Sequence, residues 1–64
     1  MNTQILNQII EDSKMSLEAE LTELHAAPEN FVNVLYEKSY DEMTSEERKE
    51  AIAEIEAYLI ENFN

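Results

Sequence analysis

The sequence predicts an all-α fold, a small three-helix bundle, on three observations. Glycine is absent and proline occurs once, which removes the residues that tight hairpin turns require. Alanine, glutamate and leucine, all strong helix formers, are abundant. Apolar residues recur at three- and four-residue spacing in segments broken around Pro28 and again between Ser39 and Thr44. With 64 residues the chain reads as one helical domain, 1–64, near the size at which a single core is only just sufficient. It has no cysteine, so neither disulfides nor a thiolate zinc site can supplement that core.

The first helix is expected to be long. Leu6, Ile10, Leu17, Leu21 and Leu24 fall within an arc of about 60° on a helical wheel, and Ser13 fills the gap in the same stripe. Asn2 or Thr3 can cap its start with a side-chain oxygen. The stretch "EDSKMS" is weaker in propensity and invites an interruption, but the stripe resumes in phase beyond it, which favours continuity.

Pro28 marks the clearest break, since it lacks a backbone donor and disfavours helical geometry at Ala27. A short second helix is expected after it. Pro28 would take the first helical position, Glu29 the positive end of the dipole, and Phe31, Val32 and Leu35 the core face. "FVNVLY" also alternates like a strand, but a lone strand would have no sheet to join.

The third helix should begin at about Ser45. Thr44 followed by Glu47 matches a capping box, in which hydroxyl and carboxylate satisfy each other's backbone donors. From there Ala51, Ile52, Ile55, Tyr58, Leu59 and Phe63 span about 140° of arc, a normal core face.

Charge is the other pronounced feature. Fifteen acids face four lysines and arginines, for a net charge of −11, which opposes direct binding to nucleic acid or anionic membranes. Glu47, Glu50, Glu54 and Glu61 lie within about 60° of one another beside the core face of the third helix, with Glu46 at the edge of the row. At 1.5 Å per residue, Glu47, Glu54 and Glu61 repeat at about 10 Å. Glu46 meets Glu50, and Glu50 meets Glu54, at the four-residue spacing where a solubilising helix commonly pairs glutamate with lysine. Each such like-charge contact costs a few tenths of a kcal/mol, about 0.2–0.5, and Glu61 in the last turn opposes the dipole. Local rules broken without compensation point to a functional surface, for which Tyr40, Asp41, Glu42 and Tyr58, and also Glu18, Glu20 and Glu23, would widen the footprint. Tyr36, which with Tyr40 flanks the polar connection, reads equally well as a packing residue or an interface anchor.

Other chemistry finds little support. His25, the single histidine, has no acid three or four residues before it, which leaves no metal-ligand pair and makes a partly exposed role near the negative end of its helix the better reading. No serine has a recognisable base or nucleophile elbow, and without glycine there is no oxyanion turn, so an enzyme is not expected, nor a cofactor. The segment before Lys14 has no basic residue and no long apolar run, so it does not read as a signal peptide, and a cytoplasmic location is expected.

The expected function is a small acidic binding protein that inhibits or regulates a basic, nucleic-acid-binding protein by presenting carboxylates where phosphates would sit. That physical type suits phage or mobile-element counter-defence, an antitoxin or an immunity protein. The competing expectation is an assembly module or homodimer packing through apolar helix faces, with Met15 and Ile60 as contacts and the acids serving solubility alone.

Overall fold

A computed structural model describes residues 1–63 and shows an all-helical globule of 31 × 21 × 17 Å. Its α-helices are α1 (Thr3–Asp12), α2 (Leu17–Ala26), α3 (Glu29–Leu35) and α4 (Ser45–Asn62), with a 3-10 turn at Tyr40–Glu42 between the last two. No strand occurs among the described residues, and none of them has a positive φ. The all-α class and the small-bundle architecture are as the sequence predicts. The helix count is four rather than three, because the expected long first helix is two helices.

The break lies at the weak stretch, and two serines make it. Ser13 takes extended geometry, φ −66° and ψ 133°, and its hydroxyl oxygen accepts from the Met15 N–H at 3.1 Å. Ser16 then caps α2 by accepting from the Ala19 N–H at 3.2 Å. Side chains of this kind offer the backbone an alternative to helical hydrogen bonds, and here that alternative outweighs a stripe that stays in phase. The same Ser13 hydroxyl donates to the Glu20 carboxylate at 2.6 Å, across the corner between α1 and α2. Glu20 is therefore buried, 5 % exposed, and is not part of an acidic surface.

The remaining elements follow their sequence signals. Asn2 caps α1, accepting from the Ile5 N–H at 3.1 Å, and its own N–H donates to the Leu35 carbonyl at 2.7 Å, which ties the start of the chain to the end of α3. Pro28 sits one position earlier than expected, as the cap of α3, with helical φ and ψ and a carbonyl that accepts from Phe31 and Val32. The capping box at Thr44 and Glu47 is formed in both directions.

The core consists of Leu6, Leu24, Phe31, Val32, Leu35, Ala51, Ile55 and Leu59, drawn from all four α-helices. Ile10, Leu17, Leu21, Ile52, Tyr58 and Phe63, also expected in the apolar stripes, are partly buried against it. Each fully buried aliphatic side chain contributes about 1.5–3 kcal/mol relative to exposure. A domain of this size has a net stability of about 3–10 kcal/mol, so a single core truncation removes a large part of it. α2 packs along α4, α1 lies against both α3 and α4, and α3 carries the 3-10 turn. That arrangement leaves one side of α4 to solvent and brings the α3–α4 connection against its first turns.

Candidate functional site

The exposed side of α4 carries the glutamate row, and the fold divides that row into engaged and unengaged members. Glu47 is engaged twice. One of its oxygens accepts from the Thr44 N–H at 2.8 Å, and its carboxylate receives the Lys38 ammonium at 3.0 and 3.2 Å. The Thr44 backbone hydrogen bond first, and then Lys38, hold the Glu47 carboxyl below its ordinary range. Glu54 accepts from the Tyr36 hydroxyl at 2.5 Å and lies 3.9 Å from the Met1 ammonium. Burial, and then the negative Glu54 beside it, push the Tyr36 hydroxyl well above the ordinary tyrosine range.

The expectation of a uniformly uncompensated row is thus corrected: the neutralising groups come from other elements, where helical spacing cannot reveal them. Glu46, Glu50 and Glu61 are exposed and have no ion-pair partner among the described residues. The Glu46–Glu50–Glu54 column therefore keeps the like-charge spacing read from the sequence, with its first two members bare.

The other predicted residues border this row in different ways. Arg48 donates through Nε to the Tyr40 carbonyl at 2.9 Å and stacks 4.4 Å from the centre of the Tyr40 ring, holding the 3-10 turn against α4. Asp41 and Glu42 are exposed on that turn, Glu42 accepting from the Ser39 hydroxyl at 3.0 Å. Tyr58 is half-buried and donates to the Asn7 side chain at 2.6 Å, a packing role that ties α4 to α1. Glu61 and Tyr58 line a shallow depression at the far end of α4, together with Ala57 and Met1. Met15 and Ile60 are exposed, as are Ile5 and Val34.

Between the α3–α4 connection and α4 runs a groove of about 300 Å³. Tyr36, Met43 and Ala51 supply apolar wall, while Glu37, Glu50 and Glu54 bring carboxylates to it. Sequence reasoning missed Glu37, Lys38 and Met43 as site residues, because they reach α4 through the tertiary path of a connection without periodicity, whereas Tyr36 reads from the sequence as evenly balanced between packing and interface. Of the three missed residues Lys38 alone gave a signal, as one of four cations in a strongly acidic chain.

No family model matches the chain, and neither a curated protein nor a solved structure shows significant similarity to it. No group of three or more histidine, cysteine, aspartate or glutamate side chains suited to holding a metal ion occurs among the described residues. No helix among them is long and apolar enough to cross a membrane.

Proposed function

We propose that this chain is a small acidic binding protein that occupies the phosphate-receiving surface of a basic, nucleic-acid-binding protein and thereby inhibits or regulates it. The observation that carries this reading is the bare set of Glu46, Glu50 and Glu61 along one side of an 18-residue helix. The repulsion between Glu46 and Glu50, and the opposition of Glu61 to the helix dipole, find no relief from cations of this chain among the described residues. Carboxylates accept the same bidentate arginine contacts as phosphates, so a surface built to hold a nucleic-acid backbone can hold this row instead. A net charge of −11 adds long-range steering toward a positive partner. Such a role suits phage counter-defence, in which a small acidic chain silences a nucleic-acid-binding protein.

The test is capture of partners from the source cell at low and high salt, with competition by duplex DNA and comparison with the Glu46→Gln, Glu50→Gln, Glu61→Gln triple variant. These three side chains make no hydrogen bond among the described residues, so the variant should remain folded. The expected result is a basic partner that high salt and DNA both displace, and that the triple variant binds at least about ten-fold more weakly. A partner held equally well by the triple variant and insensitive to salt would replace this reading with association through apolar surface.

A further inference from the structure

The groove beside α4 has a composition that selects its occupant. Its volume of about 300 Å³ lies at the bottom of the range for small-molecule sites, which suits one inserted side chain better than a free ligand. Apolar wall from Met43, Ala51 and the Tyr36 ring suits an aliphatic stem, and the carboxylates of Glu37, Glu50 and Glu54 suit a cationic head. The fold already seats one cation at the groove, since the Lys38 ammonium there is taken up by both oxygens of Glu47. Glu50, also on the groove, has no such partner among the described residues.

Resting on the function proposed above, we infer that this groove is the anchor point of the interface and receives one arginine side chain of the basic partner, with its guanidinium on Glu50 and its stem against Met43 and Ala51. Arginine fits better than lysine for two reasons. Its planar fork gives a carboxylate two parallel hydrogen bonds, and its weaker hydration lowers the cost of entering a partly apolar groove. The bare Glu50 then gains the counter-charge that the fold withholds, while Glu46 and Glu61 remain rim contacts that contribute mainly to steering.

The experiment uses the full chain with hexa-arginine and hexa-lysine peptides as probes, followed by methyl and aromatic NMR. The expected result is that hexa-arginine shifts the Met43 methyl and Tyr36 ring signals saturably while the Met15 methyl stays still. Hexa-lysine should do so about five-fold more weakly. Glu50→Lys, which places a cation at the groove, should weaken hexa-arginine binding about ten-fold or more, and Glu61→Lys, which changes net charge equally outside it, about three-fold or less. Equal weakening by both variants, an unmoved Met43 methyl, or equal binding of the two peptides overturns the arginine anchor and leaves the broader acidic-interface function standing. Undiminished binding by both lysine variants overturns that function as well.

Discussion

Removing the Ser13 hydroxyl tests whether the corner between α1 and α2 is held as described. Ser13→Ala takes away the acceptor of the Met15 N–H and the donor to Glu20, leaving a carboxylate that is 5 % exposed without that partner. A hydrogen bond to a charged group is worth about 1.5–3 kcal/mol, and alanine also favours the competing continuous helix. In domains of this size 1 kcal/mol moves Tm by about 4–8 °C, so the variant should melt about 6–24 °C lower. Ser13→Ala combined with Glu20→Leu removes both partners and leaves no stranded carboxylate, so the pair should recover most of the loss, to within about 1 kcal/mol of the natural sequence. The assay is circular-dichroism melting of the two single variants, the pair and the natural protein at one ionic strength. If Ser13→Ala melts within about 2 °C of the natural protein, the hydrogen bonds at this corner do not hold it, and the reasoning fails.

Two further outcomes follow from the row on α4. The folded state holds the Glu47 carboxyl below its ordinary 4.5, so the stabilisation that it provides is present above that value and is lost as pH falls through the folded one. Denaturant midpoints of the natural protein and Glu47→Gln should therefore differ at neutral pH and converge in acid; a constant gap would contradict the capping and Lys38 contacts as its cause. At Tyr36 the sign is reversed: the folded state holds the proton more tightly, so its contribution is full below 10.0 and is lost as pH rises beyond it. Tyr36→Phe should lose stability less steeply in alkali than the natural protein, as read from denaturant midpoints, and identical alkaline profiles would exclude the Glu54 hydrogen bond as a titrating contact.

Much of the fold was legible because local signals and tertiary structure agree. Thr44 with Glu47, Asn2, and the buried trio Ala51, Ile55 and Leu59 all sit where spacing and side-chain chemistry direct them, and Pro28 falls within one position of its expected place. Continuity of the first helix was misread because periodicity records only which face is apolar. Ser13 fits the stripe by position, yet its hydroxyl has better partners in a turn. The acidic row was legible as a row but not as a set of partnerships. Lys38 lies nine positions from Glu47 and Tyr36 eighteen from Glu54, distances that only the return path of the α3–α4 connection closes. Burial of Glu20 was likewise hidden, since an acid in an amphipathic stretch gives no sign that a serine seven residues earlier will satisfy it.

The absence of positive φ among the described residues bears on how freely this surface can change. No described backbone position is reserved for glycine, so the main chain itself vetoes few replacements on the outward side of α4. Glu46, Glu50 and Glu61 can each be exchanged for another residue with small effect on folding, and the pattern of charge can be redrawn one position at a time. The core of Leu6, Leu24, Ile55 and Leu59 lies on the other side of that helix, so the outward face can be rewritten without touching what holds the fold together.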